Sequence, residues 1–283
     1  MKRWLFVSLF ALAAHPAAPD PAFADTLSVV TLNIWHDQRD WPKRLAVILA
    51  GLRERRPDLL CLQEVLQHEN LRNQAETLAD SLGYRMHFTS VDSAHHVKRY
   101  GNAILTPHPV LHTGGKNLEP ANDYRTVAHL RIDFHGQAID VYDTHLHHTP
   151  EGGAIRAEQI GDLLAFVDST RGEGPVVLAG DFNAGLDAPE MAPILREYVS
   201  VLRALHPRAT REESATYGPV VGSEPRAIDH VFVARDGALR PVAGEVLFRE
   251  AGPGGVWASD HFGVAARVEV VGAADGAGGE SKR

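Results

Sequence analysis

Cysteine is almost absent. The 283-residue chain carries one, Cys61, so no internal disulfide can form and no cysteine-built zinc site exists. Basic residues do not dominate either. Lys and Arg number 28 against 36 Asp and Glu, a net charge of −8, which leaves no global basic footprint for a polyanion. Beyond the first residues, no apolar run is long enough to span a bilayer. No internal repeat is visible, no His-Glu-x-x-His pattern occurs, and no Ser/Gly/Pro-rich linker divides residues 25–271. With 44% apolar and 23% charged residues, the chain is neither disordered nor collagenous. One domain over 25–271 is the economical reading. Histidine, in contrast, is abundant, at 16.

The N-terminus reads as an address. Lys2 and Arg3 form a positive region, Trp4 to Ala14 a short apolar run, and Ala22-Phe23-Ala24 a small-x-small cleavage site. Residues 1–24 are expected to be a secretory signal peptide. Its removal takes away Lys2, Arg3 and Asp20 and leaves the chain one unit more negative. The expected location is the periplasm or the exterior of the cell. A single Cys61 suits an oxidising compartment, because it has no internal partner to mispair with. Residues 272–283 are Gly-rich and expected to form a flexible tail.

Strands and helices interleave. Apolar patterning predicts strands at 26–34, 58–63, 84–90, 102–106, 125–134, 137–145, 175–179, 227–234, 241–248 and 262–270. Gly136 turns two of them into a hairpin. Helices are predicted from Trp41-Pro42 to about Arg56, from His68 to Leu82 ahead of Gly83, and over 154–170. Consecutive hairpins plus long helices argue for packed sheets flanked by helices, not a simple doubly wound parallel fold. Segments 91–100, 112–123 and 206–226 carry no readable motif and are expected to shape specificity.

Polar residues recur where apolar strands end. Asn33 closes one strand, Glu64 another, His145 a third, and Asp181 with Asn183 a fourth; Asp229-His230 begins a strand and Asp260-His261 precedes the last. A strand through a core tolerates a carboxylate only at its rim or beside a partner. Several such ends could converge on one pocket between two sheets.

Seven segments occur in order: Thr31-Leu-Asn-Ile-Trp35, Gln63-Glu64, Gly101-Asn-Ala-Ile104, Thr144-His145-Leu146, Gly180-Asp-Phe-Asn183, Ile228-Asp-His230 and Ser259-Asp-His261. Together they resemble the endonuclease/exonuclease/phosphatase superfamily, which includes deoxyribonuclease-like enzymes, inositol-phosphate phosphatases and neutral sphingomyelinases. The resemblance spans about Leu27 to Val270. It implies an α/β (α+β) fold, a four-layer α/β/β/α sandwich of two mainly antiparallel sheets. It also implies a divalent-metal-dependent phosphoesterase using metal-assisted water attack. Mg²⁺ is the expected cation, with Mn²⁺ as the alternative; it takes carboxylate and water oxygens and needs only one or two carboxylates. Glu64 is then the principal ligand, with Asn33 and Asp260. Asp181 and His261 are both candidate bases. Asp229 would orient His261, Asn183 would hold a phosphate oxygen, and His145 would donate to the phosphoryl group or leaving oxygen. Asn102 and Arg125 are candidate substrate contacts.

One departure stands out. Deoxyribonuclease-like members hold their catalytic histidine with a carboxylate from the region matching 97–102, and this chain has none there. Asp143, two residues before His145 and on the same strand face, is the expected substitute. His147 and His148 read as solvated loop. Arg156, with Gln159 three residues on, reads as a structural tie for its helix.

The substrate stays open, because one fold serves many phosphoesters. A nuclease is favoured, although the negative charge gives no electrostatic gain along a phosphate backbone. The alternatives are a sphingomyelinase-like lipid-headgroup phosphodiesterase, with only the short loop 252–257 and its Trp257 as an apolar device, and a small-molecule phosphatase. A non-catalytic binding module on the same fold is the remote alternative. A monomer without integral membrane segment after signal cleavage is expected.

Overall fold

The structure, a computed structural model, describes residues 26–271. The expected signal peptide, 1–24, and the expected tail, 272–283, lie outside them. The chain runs β1 (Thr26–Asn33), α1 (Trp41–Arg55), β2 (Leu59–Gln67), α2 (Gln74–Leu82), β3 (Arg85–Ser90), β4 (Arg99–Thr106), β5 (Val110–Asn117), β6 (Thr126–Phe134), β7 (Gln137–His145), α3 (Gly153–Thr170) and β8 (Val176–Asp181). Short elements follow: α4 (Ala192–Glu197), β9 (Tyr198–Ser200), α5 (Val201–Leu205) and α6 (Arg211–Ser214). The last strands are β10 (Asp229–Ala234), β11 (Leu239–Leu247) and β12 (Gly263–Val270). Two six-stranded sheets result, ordered β11-β12-β1-β2-β4-β3 and β5-β6-β7-β8-β10-β9. Among the described residues only β1–β2 and β7–β8 pair in parallel; each is joined by a crossover helix, α1 or α3, as parallel neighbours require.

Strand alternation sorts the side chains into three cores. Leu27 and Val29 of β1 meet Val141, Val177 and Val231 of the other sheet. Val30 and Leu32 face outward onto Ile48 and Leu52 of α1 and Leu78 of α2. Tyr142 and Leu178 of the second sheet face outward onto Ile160, Leu163 and Val167 of α3. This is the four-layer α/β/β/α sandwich, held by burial worth about 1.5–3 kcal/mol per large apolar side chain.

Three local expectations are corrected. Helix α2 starts at Gln74 rather than His68, because Asn73 caps it through the Ala75 and Glu76 amides, while His68 and Leu71 pair with each other ahead of it. Residues 110–117, expected to be largely loop, form the edge strand β5. It pairs with β6, but its side chains are mostly exposed, so apolar alternation could not announce it. Strand β4 begins at Arg99, inside the expected 91–100 loop.

Candidate active site

Four strands deliver polar side chains to one rim by parity alone. In β1 the odd positions Leu27 and Val29 face the inter-sheet core, so Asn33 faces the same way at the strand's end. The same holds for His145 after Ile139 and Val141, for Asp181 after Val177 and Ala179, and for Asp229 before Val231 and Val233. Register aligns them: His145 pairs with Asp181, and Asp181 with Asp229, across β7, β8 and β10. Gly180 makes the close fit possible. At φ +138° an added Cβ would lie 2.0 Å from the Thr144 carbonyl oxygen.

Glu64 does not follow parity. Between Leu62 and Val65 the pairing of β2 with β4 shifts by one residue, and Glu64 adopts a left-handed backbone, φ +58°. This bulge returns Val65 to the helix-side core and redirects Glu64 at the rim. Such conformations cost about 1–3 kcal/mol and concentrate at functional sites.

Asp181 is the hub. Its Oδ2 accepts from Asn33 Nδ2 at 3.1 Å and its Oδ1 from the Asn183 amide at 2.9 Å. His145 Nε2 lies 3.4 Å and His261 Nε2 3.8 Å from Oδ2. Burial and the Asp229 charge raise its carboxyl to about 6, against the attraction of His261. His261 Nδ1 donates to Asp229 Oδ2 at 2.9 Å. Burial would lower this imidazole, but Asp229 and Asp181 outweigh it and lift it to about 10. Asn183, also left-handed at φ +51°, gives its Nδ2 to the Leu146 carbonyl.

The question of what orients His145 is answered by Arg125. Its Nη1 donates to His145 Nδ1 at 3.1 Å. A guanidinium has no acceptor, so Nδ1 must carry the lone pair and Nε2 the hydrogen. Burial, reinforced by the Arg125 charge, holds the imidazole well below its usual value, which makes it a neutral N–H donor. Asp143 does not touch it, and that expectation is corrected. Its Oδ1 instead accepts from Gln63 Nε2 at 2.6 Å across the two sheets, and burial pushes the carboxyl well above its ordinary range. Parity placed Asp143 on the right face, but it lies one layer deeper, against β2.

Asn102 is buried, its Nδ2 donating to the Thr126 carbonyl and pinning the first sheet to the second. His147, read as solvated, is buried: Nδ1 meets Asp123 at 2.7 Å and Nε2 meets Thr149. Arg156 and Gln159 do tie α3 to the loop before it, donating to the His147 and Thr149 carbonyls and accepting the His147 amide.

Arg44 was missed. Inside the amphipathic helix α1 it looks like an ordinary surface residue, yet it is 2% exposed. Its five N–H groups go to five carbonyls, of Ile34, Trp35, His36, Gln38 and Ala258. It thereby joins the segment after Asn33 to the segment before Asp260. Ser259 adds a second tie, donating to the Asn33 carbonyl at 2.6 Å.

Glu64, Asp260 and Asn33 offer the oxygen donors a hard divalent cation takes. Burial and then the charge of Glu64 act to raise the Asp260 carboxyl, in spite of the neighbouring His261. A cation beside the Asp260 carboxylate would offset that repulsion, so the residues fit one. Burial, and then the Glu64 charge, holds the Tyr100 phenol well above its usual range. Asp181, Asp229 and His261 also present ligand atoms within 4.8 Å of one another. There, however, His261 and Asp229 are already spent on each other, which marks an acid–base group.

Comparison with known proteins follows the same pattern. The model of the Endonuclease/Exonuclease/phosphatase family matches residues 30–261. Nocturnin of Drosophila melanogaster is 28% identical over 275 residues, covering 82% of this chain and 42% of that protein. Protein angel homolog 2 of Danio rerio is 31% identical over 160 residues, 51% of this chain and 28% of that protein. The chain thus spans less than half the length of either relative. D. rerio TDP2, solved in complex with single-strand DNA product, superposes with a TM-score of 0.73 over 87% of this chain and 99% of that one, at 17% identity. That last likeness is one of fold.

Proposed function

The chain belongs to the endonuclease/exonuclease/phosphatase family, and from that premise we propose that it is a divalent-metal-dependent phosphodiesterase acting on nucleic acid. The observation that carries the reading is Asp181, a buried carboxylate with Asn33, His145 and His261 all turned to one of its oxygens.

The side chains divide the work. Glu64, Asp260 and Asn33 would hold a divalent cation, Mg²⁺ or Mn²⁺, which when bound would supply positive charge against the phosphoryl oxygens. Asp181 takes the proton of the attacking water while the water oxygen bonds to phosphorus; the bond from phosphorus to the leaving oxygen breaks, and that oxygen leaves with the bonding pair and is protonated from solvent. His145 offers Nε2–H to a phosphoryl oxygen, its tautomer set by Arg125. His261, bridging Asp229 and Asp181, acts as a donor beside the developing charge rather than as the base. Asn183 steadies Asp181 through its amide.

Surface features favour nucleic acid over a lipid headgroup. Tyr124, 67% exposed, adjoins Arg125 at the rim, where a base could stack. A cleft of about 1230 Å³ opens beside Asn183 and Asp229, with Arg208, Arg211 and Arg226 in its wall. Trp257, the candidate membrane device, is half-buried and rests near Phe262, with ring centroids 6.0 Å apart. No helix among the described residues is long and apolar enough to cross a membrane. We further propose that the protein is exported and works as a monomer.

The test is hydrolysis of single-stranded oligonucleotides, bis(p-nitrophenyl) phosphate and sphingomyelin with Mg²⁺, with Mn²⁺ and with chelator. Metal-dependent cleavage of oligonucleotide and aryl diester is expected, falling at least about 100-fold in Glu64→Gln and in His261→Ala. Cleavage indifferent to chelator and to both substitutions would refute the reading; cleavage of sphingomyelin alone would transfer the substrate to lipid.

A further inference from the structure

His36 has no part in the scheme above, yet the fold works to place it. Trp35 and His36 both hold left-handed backbone, φ +55° and +30°, a conformation that persists only where its surroundings impose it. Arg44 Nη2 takes both of their carbonyls, and Gln74 Nε2 takes that of His36 as well. The result brings His36 Nε2 to 4.0 Å from Glu64 Oε2.

The other imidazole nitrogen is committed. His36 Nδ1 lies 2.9 Å from Asp37 Oδ1, and Asp37 Oδ2 lies 3.3 Å from His68 Nε2. A carboxylate only accepts, so Nδ1 carries the hydrogen. In the neutral ring Nε2 is then a bare lone pair facing a carboxylate oxygen, an arrangement that repels unless positive charge lies between them. A histidine donating one N–H to a carboxylate is also the arrangement that fixes tautomer and raises basicity in metal-binding imidazoles. Neighbouring ligands at about 2.1 Å from one ion, at a right angle, are about 3 Å apart. The partly exposed His36 ring needs to move only about 1 Å to reach that spacing. A pocket of about 630 Å³, lined by His36, Asp37, Glu64, His68, Lys98 and Tyr100, opens there.

We propose that His36 is a nitrogen ligand to the cation at Glu64, oriented by Asp37, so that the site prefers Mn²⁺ and other nitrogen-accepting divalent ions to Mg²⁺. Imidazole suits transition metals, whereas Mg²⁺ prefers oxygen donors. The proposal rests on the phosphodiesterase reading only in taking Glu64 as a cation ligand.

The test is Mn²⁺ binding to the full chain, followed by electron paramagnetic resonance, with pulsed measurements to detect a directly bound ¹⁴N. A ¹⁴N coupling is expected in the unaltered protein, retained in His261→Ala and lost in His36→Gln, with Mn²⁺ still bound through Glu64. The Mn²⁺:Mg²⁺ affinity ratio should fall about tenfold or more in His36→Gln and by a smaller factor in Asp37→Asn. Mn²⁺ bound without a ¹⁴N coupling would overturn the proposal and leave the phosphodiesterase reading standing; His36 would then be an imidazolium paired with Glu64. A coupling that survives His36→Gln would overturn it equally. Absence of any Mn²⁺ or Mg²⁺ binding would remove both readings.

Discussion

Replacing Arg44 by lysine keeps the charge and removes the fork. The guanidinium gives all five of its N–H groups to carbonyls, at 2.6 to 3.1 Å. It also lies 5.5 Å from the Trp35 ring centroid and 5.2 Å from that of Trp41. Burial lowers it to about 10, so it remains charged at neutral pH. An ammonium has three donors, so at least two of these five carbonyls lose their bond from residue 44. Hydrogen bonds from a charged donor contribute about 1.5–3 kcal/mol each, and two of them amount to at least about 3 kcal/mol. With a denaturant slope of about 1–3 kcal/mol per molar, the urea midpoint should fall by about 1 M or more. The loss should reach the site, because Nη1 bridges the Ile34 and Ala258 carbonyls and so holds Asn33 and Asp260 in mutual register. Cation affinity should fall about tenfold. Urea unfolding followed by tryptophan fluorescence, with Mg²⁺ and Mn²⁺ titration of the folded protein, measures both. A midpoint unchanged within about 0.3 M together with unchanged cation affinity would refute the argument that Arg44 builds the site.

Gly180→Ala should cost about 3 kcal/mol or more, since the new Cβ would meet the Thr144 carbonyl oxygen at 2.0 Å in a backbone at φ +138°; a variant within about 1 kcal/mol of the parent in urea would show that the β7–β8 contact can relax. His230 sets a pH dependence of stability. Burial lowers its imidazole to about 4, although its hydrogen bond to the Ala184 carbonyl acts the other way. The unfolded chain, near 6.5, binds the proton first, so this contribution is complete above about pH 6.5 and is lost as pH falls toward 4, by up to about 3 kcal/mol. Urea midpoints between pH 7 and 4 should fall less steeply in His230→Gln than in the parent, and equal slopes would count against the assignment.

Much of the rim was legible because strand geometry is periodic. Alternation alone turns Asn33, His145, Asp181 and Asp229 to the inter-sheet side, and the apolar residues before or after them reveal the parity. The same logic failed at Glu64, where one extra residue and a left-handed backbone reverse the face, and no glycine marks the spot. It misled at Asp143, which shares a face with His145 but is spent on Gln63. Strand β5 escaped notice because an exposed edge needs no apolar alternation. His147 escaped because its burial depends on Asp123 and Gln159, partners distant along the chain.

What the sequence determined by itself was therefore packed sheets flanked by helices and polar residues at the ends of apolar strands, both of which follow from local periodicity; the four-layer order and the grouping of those residues into one site were what the resemblance of the seven segments implied. Only the tertiary structure decided that Arg125 sets the tautomer of His145, that Arg44 joins the two cation-holding segments, and that His36 faces Glu64. These are contacts between residues up to 214 positions apart. They are created by the crossing of strands and loops, and no local pattern encodes which donor will meet which acceptor.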